Sequence, residues 1–289
     1  MTRTGLVQLL RQSLQNRLQT RLQKGPQTRL QARPQAGQHA GHPAAATGNR
    51  FSPGTTLAAW VGIAALAVLL LEPLASAAED AVVVPSPAVD IPLAATHQSQ
   101  TVVLAGGCFW GVQKVFQHVR GVQHAVSGYA GGSAGTADYE TVSTGRTGHA
   151  ESVQVTYDPS VVSLGTLLQV YFSVAHNPTE LNRQGPDHGT QYRSEIFTTS
   201  AEQAKVAQAY IAQLDAAGVY GRRIVTRVEP LEKFYPAEDY HQDYATLHPQ
   251  SGYIAMYDLP KVRNLEHLFP KQYRADPALV AVASTTMVH

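Results

Sequence analysis

Thr101-Val102-Val103-Leu104-Ala105-Gly106-Gly107-Cys108-Phe109-Trp110 is the stretch on which the reading of this chain turns. Thr101 to Ala105 has the unbroken apolar texture of a buried strand, and Gly106-Gly107 breaks it. Beyond the break, Val112, Val115, Phe116 and Val119 recur at i, i+3, i+4 and i+7, one face of a helix. Strand, turn and helix in quick succession predict a core shared by both kinds of element, with Cys108 at the helix entrance.

The same patterns continue downstream. Ser163 precedes Leu164, Leu167, Leu168 and Tyr171 at helical spacing, and Ser200 with Gln203 forms a capping box ahead of Val206, Tyr210 and Leu214. Two more helices are expected after these. Strands are expected at Ala125 to Tyr129, Ser152 to Tyr157, Glu195 to Thr198 and Ile224 to Glu229. Together they make one α/β or α+β domain over residues 99–275, helices packed on a modest sheet, with 276–289 as a tail.

Upstream the texture differs. Residues 1–50 are a basic low-complexity extension in which QTRLQ recurs at 19 and 27, and such a composition builds no packed core. Leu57 to Leu71 is uncharged and mostly apolar, is preceded by Arg50, and is followed by Ala75-Ser76-Ala77, a small-residue site for cleavage before Ala78. Residues 51–78 therefore read as a signal peptide exporting the domain, with the periplasm as destination. An uncleaved membrane anchor, an organelle transit segment and a start site placed too early are the alternatives. Residues 79–98 carry three prolines and no sustained period, and read as a linker.

The totals narrow the chemistry. The chain has 289 residues, 44% of them hydrophobic, and a net charge of +1. Eight basic residues precede the first acidic one, Glu72, so the remainder is slightly acidic and argues against a nucleic-acid-binding core. One cysteine excludes an intramolecular disulfide and the paired-cysteine zinc motifs. Histidines are numerous, but the core has no HxH or HxxxH pair, and His241 with His248 lacks a third ligand, so no metal is expected.

A cysteine at a helix N-terminus is expected to have a lowered pKa, because unsatisfied N–H groups and the helix dipole favour the thiolate. Phe109 and Trp110 supply apolar walls beside it. The bland alternative is a buried cysteine among core aromatics. Glu151 shares a strand face with Val153, Val155 and Tyr157; a carboxyl on that row loses hydration, its pKa rises, and it can hold a proton to donate. The alternative there is a solvent-facing edge residue. Tyr129, at a strand end before glycines, is expected to keep its hydroxyl accessible, and Tyr192 follows a polar, irregular run from Asn182 to Gln191 of the kind that is functional more often than decorative.

These strings resemble the A-type peptide methionine sulfoxide reductases. Gly107-Cys108-Phe109-Trp110-Gly111 is similar to that family's nucleophile motif and Gly148-His149-Ala150-Glu151 to its acid motif, while GYAGG at 128, RQGPDHGTQYRS at 183 and AEDYHQDY at 237 match further family segments in the same order. The resemblance implies a two-layer α+β sandwich with a mixed sheet and ferredoxin-like elements. It implies reduction of the S epimer of methionine sulfoxide, free or in oxidised proteins. Cys108 would attack the sulfoxide sulfur and become a sulfenic acid; Glu151 would protonate the oxygen; Tyr129 and Tyr192 would hydrogen-bond it; Asp187 would help order the site; Phe109 and Trp110 would hold the substrate methyl group. No cofactor is implied beyond a thiol reductant. Many relatives carry C-terminal resolving cysteines, but this chain continues SGYIAMYDLPKVRN without one, so recycling needs an external thiol: thioredoxin, glutaredoxin or a small thiol. Pro186 departs from the family pattern beside Asp187 and bears on the local loop geometry.

Two rival readings stay open at this level. A cysteine hydrolase would need an imidazole to activate Cys108, and His149 is available. A noncatalytic exported module would use Phe109 and Trp110 to grip a ligand.

Overall fold

The computed structural model describes residues 81–280. The expectations placed on residues 1–78 lie outside that range, and so does most of the tail.

The opening stretch forms β1 (Gln100–Gly106) and α1 (Phe109–Gln117), joined at Gly107 and Cys108. β2 (Val122–Ala130), β3 (Ala150–Tyr157) and β6 (Ser194–Thr198) complete the middle of the sheet, and β7 (Arg227–Pro230) and β8 (Phe234–Pro236) are its edges. The order is β7-β6-β1-β3-β2-β8. All neighbours are antiparallel except β6 and β7, which makes the sheet mixed. A short hairpin, β4 (Arg183–Gln184) and β5 (Asp187–His188), stands apart from it. This is the α+β architecture expected. The strand expected at 224–229 begins later, at Arg227, because Ile224 and Val225 spend their N–H groups on Asp215 Oδ1 and the Pro178 carbonyl.

Why β1 reads as a continuous apolar run is visible in its packing. Val102 and Leu104 face the main core with Val153, Val155 and the helices, while Val103 and Ala105 face the opposite side with Ala130, Ala150 and Phe197 under Leu231 and Phe234. A strand covered on both faces needs no polar alternation. The main core takes Val112, Val115 and Phe116 of α1, Leu164, Leu167 and Leu168 of α3 (Leu164–Val170), and Val206, Tyr210 and Leu214 of α4 (Ala201–Ala217). A four-residue α2 (Tyr139–Val142), α5 (Tyr244–Leu247) and α6 (Leu259–Leu268) complete the helices.

The helix starts follow their caps. Ser163 Oγ accepts from Thr166 N, and Ser200 Oγ accepts from Gln203 N. Gln203 Oε1 returns a bond to the Thr199 N–H, one residue earlier than a capping box places it.

The segment read as a linker lacks regular structure over residues 81–99, yet it is strapped to the domain. Val82 N donates to the Ser173 carbonyl, Tyr210 and Gln213 hold the carbonyls of Pro85 and Ser86, and Asp90 Oδ1 accepts from Gly165 N. Val84 is fully buried against the helices. Such a strap gains its order from side chains elsewhere, so no period in its own sequence announces it. At the other end Ala278 and Val280 bond to the Gln117 carbonyl and Asp243, extending the packed chain past residue 275.

Candidate active site

Cys108 is the N-cap of α1 and is half-buried. It makes no side-chain capping bond, and the vacant first N–H, that of Phe109, donates instead to Glu151 Oε2 at 3.1 Å. One hydrogen bond thus ties the thiol's helix to the carboxyl on β3. Gly107 makes the turn possible with φ +88, a conformation that disfavours any side chain, and a Cβ there would meet Gln184 Cγ at 2.5 Å. Gly107→Ala is expected to cost about 2–4 kcal/mol through strain and overpacking together. Thermal melts would register this as a fall in Tm, accompanied by lost activity because Cys108 is the next residue.

Glu151 is buried, on the core-facing row of β3 as expected, and Tyr129 is its cross-strand partner on β2. Burial lifts its carboxyl to about 8, the Phe109 N–H opposing and the Asp187 charge adding to the rise. At neutral pH it keeps its proton. Asp187 arrives from the β4–β5 hairpin, whose two-residue turn is Gly185 at φ 53 followed by Pro186. A positive φ at the first turn position suits a tight hairpin. The hairpin therefore turns on Gly185 and accommodates Pro186 as its second turn residue, and the run from Asn182 to Gln191 is less irregular than it reads. Asp187 Oδ2 accepts from Tyr253 at 2.5 Å.

Tyr192 ends the turn after that hairpin. Its hydroxyl is pushed well above the usual phenol range by burial and then by Glu151, Asp187 and Cys108, so it holds its proton. Phe109 packs on Tyr129 with centroids 5.9 Å apart, and Trp110 stacks on Tyr244 at 4.0 Å while its Nε1 donates to His241 Nδ1 at 3.2 Å. The rings of Phe109 and Trp110 therefore lie beside a thiol, a protonated carboxyl and a phenol. A thiol nucleophile beside a proton donor suits reduction at an electrophilic sulfur.

The family model of peptide methionine sulfoxide reductase matches residues 100–273, most of the described domain. The chain belongs to this family. A reductase of Mesorhizobium japonicum is 63% identical over 64% of this chain and 95% of its own length, and one of Synechocystis is 48% identical over 67% and 91%. Among solved structures, the reduced form of Mxr1 from Saccharomyces cerevisiae is 34% identical, with a TM-score of 0.48 over 54% of this chain and 92% of its own. The protein is thus a thiol-dependent oxidoreductase acting on methionine sulfoxide, an enzyme of oxidative-damage repair.

Three details of the reductase differ from the sequence reading. Its Cys108 thiol is not lowered: burial raises it well above the usual range, Glu151, Asp258 and Asp187 raise it further, and the Trp110 N–H alone opposes them. The helix N-terminus is real, but its pull is outweighed. Tyr129 is fully buried rather than accessible, and its hydroxyl donates to Glu238 Oε2 at 2.9 Å. His149 turns its Nε2 to the Ser133 carbonyl and packs between Tyr129 and Tyr235, and its buried Nδ1 has no hydrogen-bond partner among the described residues, so it does not make the bond to Cys108 that the hydrolase reading requires.

Since the Tyr129 proton is already committed, the two tyrosines are unequal. Tyr192→Phe should lower kcat/KM about tenfold, the effect of one lost transition-state hydrogen bond, and Tyr129→Phe by less than about threefold. Steady-state kinetics on both variants checks the order.

Glu238, His241, Tyr139, Tyr253 and Asp258 also belong to this neighbourhood, and sequence reasoning gave none of them a role. Glu238 Oε1 accepts from the Tyr139 N–H at 2.9 Å, coupling α2 to Tyr129. The one available signal was the AEDYHQDY string at 237, which the resemblance flagged without assigning individual residues.

Proposed function

We propose that the reductase takes the S epimer of methionine sulfoxide, with the substrate methyl group against Phe109 and Trp110 and the sulfoxide oxygen between Glu151 and Tyr192. The Phe109 N–H to Glu151 bond carries this reading, because it holds nucleophile and acid at one helix end. As the Glu151 proton passes to the oxygen, positive charge develops on sulfur and the Cys108 thiol, resting protonated, becomes easier to ionise. Attack of Cys108 Sγ on the substrate sulfur, its proton passing to the vacated Glu151 carboxylate and on to the hydroxyl, forms an S–S bond as the oxygen leaves as water; a water molecule then attacks Sγ and breaks that bond. Methionine leaves, and Cys108 remains as a sulfenic acid, the reversible rung of cysteine oxidation.

With one cysteine in the chain, the sulfenic acid is resolved from outside. A first thiol condenses with it to a mixed disulfide and releases water; a second thiol displaces the first as a disulfide and restores Cys108. Thioredoxin, glutaredoxin or a small thiol can supply both. Asp187, bound to Tyr253, orders the hairpin that places Tyr192. Mixing enzyme and sulfoxide without reductant should yield one methionine per chain and a Cys108 that reacts with dimedone, read by mass. Methionine formed without a trappable sulfenic acid would overturn the mechanism.

Export by residues 51–78 is part of this proposal, supported by the apolar run and Ala75-Ser76-Ala77. Among the described residues no helix is long and apolar enough to cross a membrane. A mature N-terminus at Ala78, read by intact mass from the periplasmic fraction, is the expected result; an intact N-terminus in the soluble cytoplasm would contradict it.

A further inference from the structure

Three carboxyl groups surround Cys108, and the chemistry above employs Glu151 and Asp187. The third, Asp258, comes from the C-terminal segment that carries no cysteine. It closes a wide π-type turn, Ile254–Asp258, immediately before α6. The turn lodges it against the first turn of α1: a Cβ on Gly111 would lie 2.2 Å from Asp258 Oδ1. Only glycine leaves room for the carboxyl there.

Asp258 is wholly buried, and neither oxygen has a hydrogen-bond partner among the described residues. Buried carboxylates ordinarily have such partners, because desolvation is costly without them. Its nearest cation, Lys261 Nζ, stands 3.9 Å away one turn along α6. Lys114 on α1 adds a second positive charge while donating its own Nζ to Thr246. Asp187 from the hairpin and Tyr253 from its own turn also face it. An apolar side chain would fill this space at lower cost if packing were the sole purpose. The group that feels this partly balanced charge and carries the reaction is Cys108.

We propose that Asp258 is a positioning residue of the reductase: its buried negative charge, set against the first turn of α1, keeps Cys108 a thiol until a sulfoxide occupies the site. Burial lifts Asp258 to about 6, Lys261 and Lys114 opposing and Asp187 adding, so the carboxyl is charged at neutral pH and disfavours a second negative charge on sulfur. When bound sulfoxide takes the Glu151 proton, positive charge appears on the substrate and the vacated carboxylate can accept the proton of Cys108. Ionisation of the thiol is thereby tied to the presence of substrate. In a chain with one cysteine this also limits a wasteful reaction, in which the thiolate attacks hydrogen peroxide, breaks its O–O bond and, with a proton from solvent, leaves a sulfenic acid and water with no methionine repaired. The proposal rests on Cys108 as the nucleophile.

The test is the pH dependence of Cys108 carbamidomethylation by iodoacetamide in the full chain, with no sulfoxide present, for wild type and Asp258→Asn. The amide has nearly the same shape and forfeits no hydrogen bond. Its midpoint should fall by about half to one pH unit, and its rate near neutral pH should rise about two- to fourfold, the lower nucleophilicity of a more acidic thiol offsetting part of the gain. Asp258→Ser, smaller and also uncharged, guards against misfolding of the first variant and should shift the midpoint the same way. An unchanged or raised midpoint in a folded neutral variant would overturn the proposal. The readout needs no turnover: a protein that alkylates as expected but reduces no sulfoxide would count against the reductase mechanism and not against this role of Asp258.

Discussion

Cys108→Ser should reduce no methionine sulfoxide, kcat/KM falling by at least about 10⁴-fold to the background of the assay. The size follows from chemistry rather than from packing. A hydroxyl is a far poorer nucleophile than a thiol toward sulfur, and a serine oxygen has no counterpart to the sulfenic acid intermediate. The fold should survive, since Cys108 is a half-buried cap without a side-chain capping bond. A melting temperature within a few degrees of wild type, alongside lost turnover, separates chemistry from stability. Retained turnover in this variant would remove the nucleophile from the account.

Glu151→Gln is the second large effect, a fall in kcat of about 10²- to 10³-fold, within the range for loss of a positioned general acid. Glutamine keeps the shape, and its carbonyl oxygen can still accept the Phe109 N–H, so the helix entrance stays in place. What is lost is the proton. The sign of the pH dependence follows from the direction of the shift. The carboxyl titrates at about 8, so its acid form dominates below that pH and disappears as pH rises through it. Wild-type kcat should therefore decline on the alkaline side around pH 8, and the residual activity of the variant should lack that limb. A profile with the same limb in both proteins would assign the proton to another group.

The parts of this site that were legible in the sequence are those carried by local patterns. β1 and the face of α1 appear as an apolar run and a helical repeat, and together they place Cys108 at a cap. The alternation through β3 places Glu151 on the core side, where it is found. The thiol's ionisation was not legible, because a local pattern shows the helix end but not the carboxyls that Asp187 and Asp258 bring from distant segments. Tyr129 illustrates the same limit: its strand end was visible, whereas Glu238, which takes its proton, lies far along the chain. Asp258 ends a π-type turn that interrupts the helical repeat and Tyr253 immediately precedes it, so no single face announces them. The strap over residues 81–98 was missed because side chains of α3 and α4 satisfy its backbone, leaving no period of its own.

One measurement addresses the central claim most directly: turnover of the separated S and R epimers of a methionine sulfoxide peptide, with dithiothreitol as reductant and Cys108→Ser as control. The S epimer alone should be consumed, with methionine as product and no consumption in the variant. Consumption of the R epimer, or of neither epimer by a folded protein whose thiol is intact, would contradict that claim.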